Sequence, residues 1–235
     1  PSGEVEANLI GSLEESLQRM RLERVDLFFL HSNIIPDDYD ASAYVDRPAT
    51  RWTTYIEQFV PTCEKLKADG RIGAWGITGI GIPDCILQAL GETARPAAVQ
   101  CITNLLDSPG ELQYFPGPSR ARELIAATKA SGSGVLGIRP VQGGALCDRL
   151  DRELPDGHGV VVDFAKSEDF RTLAAELGTS AAALAHRYAL SMDDVDTVVL
   201  GCKNREELAE CVAAEAAGPL ETEIIARIDA SVPRS

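Results

Sequence analysis

Polar residues that could hold a ligand come at or directly after the ends of five short apolar runs in the sequence. They are His31-Ser32, Thr78-Gly79, Gln100 with Asn104, Arg139 through Gly144, and Gly201 through Lys203. Their imidazole, hydroxyl, amide and cationic groups can form hydrogen bonds to a small polar molecule. Glycine-containing stretches at 79–81 and 143–144 would let such a molecule approach the backbone closely. Polar residues also follow buried strands in sheets that bind no ligand. The pattern alone is therefore equally consistent with a binding site and with an ordinary surface.

The elements that must position these residues follow from hydrophobic periodicity. The runs Val25–Leu30, Ile72–Thr78, 98–103, 135–141 and 197–200 predict buried strands. Amphipathic segments predict helices at about 4–20, 53–68, 84–93, 119–130, 168–177 and 180–190, and from 204 onward. The stretch that holds Pro155, Gly157 and Gly159 is expected to be irregular. Alternating strands and helices indicate a parallel α/β sheet, either doubly wound or closed into a barrel, and both architectures bind ligands beyond the carboxyl ends of their strands.

Composition restricts the classes of function. The chain has 235 residues, 45% of them hydrophobic, and lacks a convincing linker, so a single domain spanning 1–235 is expected. The net charge of −14 opposes binding to nucleic acid, and no apolar run approaches the roughly 20 residues of a membrane span. Six cysteines without paired spacing are expected to be reduced thiols of a cytoplasmic protein. No motif for a metal site or a nucleophilic serine is present.

Five blocks of sequence resemble the aldo-keto reductase family in order and spacing. They are SLEESLQRMRLERVDLFFLH at 12–31, LKADGRIGAWGITG at 66–79, VQCITNLL at 99–106, GVLGIRPVQGGAL at 134–146 and DTVVLGCKNREELAE at 196–210. The resemblance implies a (β/α)₈ TIM barrel and an NAD(P)H-dependent reductase. The sequence begins at Pro1 and offers five strands, so we expect an incomplete barrel with about strands 4 to 8 and without its N-terminal third.

The resemblance assigns a catalytic role to His31. This residue matches the family histidine at the end of the fourth strand, whose imidazole N–H orients the substrate carbonyl. The family Asp, Tyr and Lys are expected before Pro1, so we expect this chain alone to be inactive as a reductase. The tyrosine would supply the proton, and the lysine would lower its pKa. An alternative interpretation is that His31 is a buried, hydrogen-bonded core histidine; His158 and His186 are also expected to be structural.

Cofactor contacts are implied at the ends of two further strands. Thr78 stands where the family usually has a serine, whose hydroxyl is available to the nicotinamide carboxamide. Gln100 matches a family glutamine that contacts the same amide. Gly79 replaces the asparagine that normally follows, which is a departure from the family pattern.

The glycine-rich block at 134–146 also departs from the family. Ile138 replaces the aromatic residue that stacks on the nicotinamide ring, and Arg139 replaces a serine. Together with Gln142 and Gly143, Arg139 is nevertheless assigned to cofactor binding. The lost ring weakens the expectation of an ordinary cofactor geometry.

The start of the helix at 204 is the expected phosphate site. A helix N-terminus favours an anion, and Lys203 and Arg205 could meet a 2′-phosphate. Asn204 with Glu207 also fits a start like a capping box. The Glu207 carboxylate would repel a 2′-phosphate, so NADH is slightly favoured over NADPH as the cofactor.

These observations predict an oxidoreductase that interconverts aldehydes, ketones or aldoses and alcohols. The alternative is a non-catalytic nucleotide-binding barrel with a regulatory or partner-binding role, which Gly79 and Ile138 motivate. An unrelated barrel enzyme remains only if the five matches are accidental. The substrate is not determined by the sequence, although aromatic residues in the long loops could line its pocket, namely Tyr39, Tyr44, Trp52, Tyr114 and Phe115.

Overall fold

The computed structural model describes residues 2–40, 42 and 49–232, and the chain divides into two compact units. The first unit comprises Pro1–Gln100 with Ala127–Gly134, and the second comprises Cys101–Ala126 with Val135–Ser235.

The first unit alternates helices with parallel strands. Its elements are α1 (Ser2–Met20), β1 (Val25–Leu30), β2 (Asn33–Ile35), β3 (Ala49–Arg51), α2 (Trp52–Thr54), a π helix (Tyr55–Phe59), α3 (Val60–Ala68), β4 (Ile72–Thr78), α4 (Pro83–Gly91) and the beginning of β5 (Ala98–Ile102). β1 pairs with β4, and β4 pairs with β5, in both cases in parallel. β2 and β3 form a separate parallel pair.

Aromatic packing fills the core of the first unit. Tyr55 stacks on Phe59 with ring centroids 5.7 Å apart, and Phe59 meets Trp75 edge-on at 5.6 Å. All three rings are fully buried, and the Trp75 Nε1–H donates a hydrogen bond to Glu64 Oε1 at 2.6 Å. Because Trp75 belongs to β4, close packing of these rings holds β4 in place and supports the strand end at Thr78.

The second unit contains the remaining elements. They are a 3₁₀ helix (Gly110–Leu112), most of α5 (Ala121–Ala130) and β6 (Gly134–Ile138), a second 3₁₀ helix (Gln142–Gly144), α6 (Gly159–Lys166), α7 (Glu168–Glu176), α8 (Ala181–Leu190), β7 (Thr197–Val198), α9 (Arg205–Ala216) and α10 (Thr222–Ala230). β6 and β7 are parallel, with Leu136 opposite Thr197. The helices α7, α8 and α10 pack around Phe170, Leu184 and Ile228.

The predicted strands and helices agree with most of these elements. The two strands Val25–Leu30 and Ile72–Thr78 have the predicted bounds. The prediction of an irregular stretch through Gly159 is wrong at its end, because α6 begins at Gly159. His158 caps this helix, since its Nδ1 accepts a hydrogen bond from the Val160 N–H. This contact gives His158 the structural role expected of it. The pair of β2 and β3 was also not predicted.

Candidate functional site

Three of the predicted site residues end neighbouring strands of the first unit. Leu30 of β1 is opposite Ile77 of β4, so His31 and Thr78 follow at the same level. Thr78 is itself opposite Gln100 of β5. The parallel register therefore brings His31, Thr78 and Gln100 into one row at the carboxyl ends of three adjacent strands, which we call the strand-end row.

Side chains in the strand-end row retain hydrogen-bonding capacity. His31 is exposed, so its interpretation as a buried core histidine is wrong. Gln100 is half-buried, and its amide bonds to no other group within residues 2–40, 42 and 49–232. Thr78 is buried, and its Oγ1 accepts a long contact of 3.4 Å from the Ile80 N–H; within the described ranges it has no other partner, which leaves the hydroxyl proton available to a ligand.

The departure at Gly79 has a steric reason. A Cβ at this position would lie 2.7 Å from the Gln100 carbonyl oxygen and 3.1 Å from Val99 Cγ1. The Gly79 N–H donates to the same carbonyl at 2.7 Å, so the backbones of the two strand ends are in close contact. A side chain such as the family asparagine has no room in this backbone arrangement.

In the second unit, Arg139 and Gln142 bond to other residues of the chain. Arg139 Nε donates to Gln142 Oε1 at 2.7 Å, and its Nη2 donates to Glu111 Oε2 at 2.9 Å. Gln142 is fully buried, and its Nε2 donates to Asp163 Oδ2 at 2.8 Å and to Ser108 Oγ at 3.2 Å. Ser108 also donates to Asp163 Oδ2 at 2.6 Å. We call these five residues the buried loop network.

The buried loop network holds a turn in an unusual backbone conformation. Arg139, Gln142 and Gly143 have φ values of 60°, 48° and 61°. Left-handed backbone costs a residue with a side chain about 1 kcal/mol or more, and glycine much less. The side-chain hydrogen bonds of Arg139 and Gln142 offset that cost. They also end β6 at Ile138, before the predicted end of the strand at residue 141.

Gly143 and Lys203 line one cleft of the second unit, with a volume of about 470 Å³. Asp151, Glu207 and Glu210 line the same cleft. Lys203 Nζ forms an ion pair with Asp151 Oδ2 and lies 3.8 Å from Glu207 Oε1. The hydrogen bond raises the pKa of Lys203 and lowers that of Asp151. Lys203 is therefore a charged group that already has acidic neighbours.

Arg205 is the first residue of α9, is exposed, and bonds to no side chain in the described part of the protein. Asn204 caps the helix, since its Oδ1 accepts from the Glu207 N–H at 2.9 Å. Glu207 Oε2 in turn accepts from the Lys203 N–H at 2.7 Å. The expected start like a capping box is confirmed. In the usual motif the glutamate side chain accepts from the N–H of the capping residue, here Asn204, whereas Glu207 accepts from the N–H of the preceding residue, Lys203.

Three side chains of the buried loop network were not identified from the sequence, namely Asp163, Ser108 and Glu111. Asp163 is only 4% exposed and lies in the apolar segment GVVVDFAK. A single carboxylate in such a segment could have indicated a buried, hydrogen-bonded group. Ser108 offered no such signal, because its partner lies 55 positions away. Asp163 and Ser108 also line a separate cleft of about 570 Å³.

The aromatic residues expected near a substrate pocket have mixed positions. Trp52 packs on Tyr55 with ring centroids 5.4 Å apart, and Phe115 is buried, so both contribute to local packing. Tyr39 and Tyr114 are half-buried, and Tyr44 lies outside the described residues. Among the described residues, no cluster of His, Cys, Asp or Glu could hold a metal ion, and no helix is both long and apolar enough to cross a membrane.

Comparisons with known proteins agree with the resemblance seen in the sequence. The model of the aldo/keto reductase family matches residues 1–233. L-galactose dehydrogenase of Arabidopsis thaliana is 24% identical over 210 residues, which are 86% of this chain and 56% of that protein. Aldo-keto reductase family 7 member A3 of Homo sapiens is 24% identical, over 91% of this chain and 66% of that protein. The chain thus spans about six tenths of the length of these relatives.

Solved structures show the fold. An aldo-keto reductase from Bacillus halodurans in its apo form superposes with a TM-score of 0.70 at 24% identity, covering 98% of this chain and 70% of that chain. Glycerol dehydrogenase of Gluconobacter oxydans gives 0.67 at 20% identity, over 96% and 64% of the two chains. The predicted fold family, a (β/α)₈ barrel of this type with parallel strands, is therefore confirmed. Its incompleteness stays a prediction.

Proposed function

Because the chain belongs to the aldo/keto reductase family, we propose that it is part of an NAD(P)H-dependent oxidoreductase that interconverts carbonyl compounds and alcohols. The strand-end row is the observation that carries this proposal. The bound nicotinamide would supply or accept the hydride. The substrate class is a small carbonyl compound or sugar, and the proposed location is the cytoplasm.

In this proposal His31 is the catalytic residue. Its exposed imidazole forms no hydrogen bond to the residues that the structure describes, so a ring N–H would be able to donate to the carbonyl oxygen of the substrate. A donor at that oxygen stabilises the negative charge that develops as the carbonyl is reduced. The proton for the alkoxide would come from the family tyrosine, which this chain does not match, so the chain alone is proposed to bind without appreciable turnover.

Thr78 and Gln100 would hold the carboxamide of the nicotinamide. A carboxamide presents one acceptor oxygen and two N–H donors. The Thr78 hydroxyl can donate, and the free Gln100 amide can both donate and accept. Their pairing across β4 and β5 makes the two groups suitable for one planar ligand group.

Phosphates of the cofactor would lie in the cleft of the second unit that Gly143 and Lys203 line, and Arg205 follows Lys203 by two residues at the start of α9. The N-terminus of α9 presents backbone N–H groups, which favour anions, and Gly143 has no side chain to keep a ligand away from the backbone. Arg139 and Gln142 would contribute by holding the turn at Gly143 through the buried loop network. The acidic side chains of Asp151, Glu207 and Glu210 in the same cleft favour NADH over the more highly charged NADPH.

Titration of the protein with NADH, followed by fluorescence or calorimetry, tests this proposal. Gln100→Ala removes the free amide and is expected to weaken NADH binding about tenfold, the equivalent of one good hydrogen bond. Gln88→Ala is the matched control, because Gln88 is an exposed glutamine on α4 of the same unit. Equal affinities of the two variants, or no binding by the wild-type protein, would contradict the proposal.

The alternative of a non-catalytic nucleotide-binding protein is motivated by Gly79 and Ile138, which stand where the family has an asparagine and the aromatic residue that stacks on the nicotinamide ring. Turnover distinguishes it from the reductase. Oxidation of NADH by the complete protein with an aldehyde or aldose supports a reductase, and its loss in His31→Ala assigns the catalytic role. NADH binding without turnover by the complete protein would favour the alternative.

A further inference from the structure

Two cysteine thiols of the second unit lie against each other beside a histidine. Cys202 Sγ is 3.7 Å from Cys211 Sγ, and Cys211 Sγ is 3.3 Å from His186 Nδ1. Cys202 precedes α9, Cys211 lies in its second turn, and His186 lies on α8. The nine-residue separation of the cysteines carries no recognisable motif, which is why only the folded chain brings them together.

The two thiols differ in their access to solvent. Cys202 is exposed, whereas Cys211 is 6% exposed and His186 is also 6% exposed. Cys211 and His186 both line the cleft of about 470 Å³ that contains Lys203, so a small molecule in that cleft can approach Cys211, whereas Cys202 is exposed to solvent directly. A disulfide requires the sulfurs to move closer by about 1.7 Å, to the bond length of about 2.0 Å. The segment before α9 that carries Cys202 is exposed and can supply this movement.

We propose that Cys202 and Cys211 form a site of oxidation by peroxide, in which Cys202 is oxidised first and Cys211 closes an intramolecular disulfide with the help of His186. In the first step the Cys202 thiolate attacks one peroxide oxygen, an S–O bond forms and the O–O bond breaks. The sulfur is oxidised to a sulfenic acid, and the departing hydroxide takes up, through solvent, the proton that the Cys202 thiol lost on ionising, to become water.

In the second step the Cys211 sulfur attacks Cys202 Sγ, an S–S bond forms and the S–O bond breaks. The Cys211 proton passes to His186 Nδ1, the departing hydroxide takes one proton from solvent to become a second water, and His186 returns its proton to solvent. Two thiols and one peroxide thus give one disulfide and two waters.

Surrounding groups explain why Cys211 needs the histidine. Burial is the largest cause that raises the pKa of Cys211 to about 12, and Cys202, Glu210 and Glu207 add to it. Only the thiolate is a good nucleophile, so an unassisted Cys211 would react slowly near neutral pH. Burial lowers the pKa of His186, against a smaller opposing effect of Glu210, so its imidazole is neutral and able to accept the proton.

Cleavage with trypsin gives a direct test, because the two cysteines fall in different peptides. Residues 188–203 contain Cys202 alone, and residues 206–227 contain Cys211 alone. Treatment of the wild-type protein with hydrogen peroxide is expected to join these peptides, with the loss of two hydrogens in mass spectrometry. Dithiothreitol should separate them again. The joined fraction should rise from background to the majority of both peptides.

Three variants assign the roles of the groups. Cys147→Ser is the matched control, since Cys147 lines the same cleft and lies in a different tryptic peptide, and the joined peptides should persist. Cys211→Ser should leave a sulfenic acid on Cys202 that dimedone captures. His186→Gln should slow disulfide closure roughly tenfold or more, a modest part of what a positioned base contributes, while dimedone-reactive Cys202 accumulates.

The proposal is overturned if Cys202 proceeds to sulfinic or sulfonic acid while Cys211 remains a free thiol. It is also overturned if the peroxide joins Cys202 to Cys147, or if His186→Gln closes the disulfide at the wild-type rate. All of these readouts are independent of cofactor binding and of turnover.

Discussion

The two units place the predicted site residues in contrasting surroundings. In the strand-end row, His31 and Gln100 make no hydrogen bonds through their side chains within the described residues. In the second unit, Arg139, Gln142 and Lys203 bond to acidic or amide partners, whereas the exposed Arg205 bonds to no side chain among the described residues. The reason is the backbone: parallel strands fix the row through main-chain hydrogen bonds, whereas the left-handed turn at Arg139 depends on side chains for its stability. Free side chains in the row are therefore available for a ligand.

The largest expected effect comes from the buried loop network. Asp163→Ala removes the acceptor of the half-buried Ser108 hydroxyl and of one N–H of the buried Gln142 amide, which keeps only its longer contact with Ser108 Oγ at 3.2 Å. Unpaired buried donors are costly, so we expect the free energy of unfolding to fall by about 3 kcal/mol. Denaturation by urea measures this change.

Asp151→Ala is the control for this variant in the same unit. Asp151 also accepts a hydrogen bond, but its partner is the exposed Lys203, and water can replace the lost contact. Its unfolding midpoint is expected to remain close to that of the wild-type protein. Equal losses of stability in the two variants would contradict the distinction between a buried network and an exposed ion pair.

The next effect concerns the strand-end row. Gly79→Ala places a Cβ 2.7 Å from the Gln100 carbonyl oxygen, and neither backbone can move without disturbing the pairing of β4 and β5. We expect a loss of about 2 kcal/mol in the free energy of unfolding. Gly91→Ala is the matched control, because no atom lies within 4 Å of its new Cβ. If the Gly79→Ala protein were as stable as the Gly91→Ala protein, the backbones at Gly79 and Gln100 would be able to move apart at little cost, which would contradict the prediction.

The same contrast explains how far the sequence could predict this molecule. Continuous apolar runs defined the bounds of Val25–Leu30 and Ile72–Thr78, and the register of parallel strands then brought Thr78 beside Gln100. The turn after β6 was less predictable, since the bond between Ser108 and Asp163 joins positions 55 residues apart. Local periodicity contains no information on such a bond. The assignments of His31, Thr78, Gln100 and the second-unit residues to a cofactor site stay predictions.

A third prediction concerns the core that supports the strand-end row. Burial raises the pKa of Cys63 to about 12, from an ordinary value of 9.0, with a smaller contribution from Glu64. The unfolded chain therefore loses this proton first as the pH rises. The stabilising contribution of the protonated thiol is complete below pH 9 and decreases between pH 9 and 12, by up to about 1.4 kcal/mol per pH unit.

Unfolding by urea between pH 8 and 11 measures this slope. Cys63→Ala removes the titrating group, so its free energy of unfolding should fall less steeply with pH than that of the wild-type protein. The comparison uses slopes because the substitution also leaves a cavity, whose cost is the same at every pH. Parallel slopes would show that the thiol ionises without a penalty in the folded protein.

The smallest expected effect concerns the choice between NADH and NADPH at the cleft of the second unit. Glu207→Gln removes a carboxylate that lies near Lys203, and the proposed function requires this change to favour NADPH relative to NADH. Because the site is partly exposed, the ratio of the two dissociation constants should change by only about threefold, and less at high salt. Glu206→Gln is the control, since Glu206 is an exposed neighbour in the first turn of α9 that does not line the cleft. If both variants change the ratio equally, the effect reflects the net charge of the helix start, and the side chain of Glu207 has no direct part in selecting the cofactor.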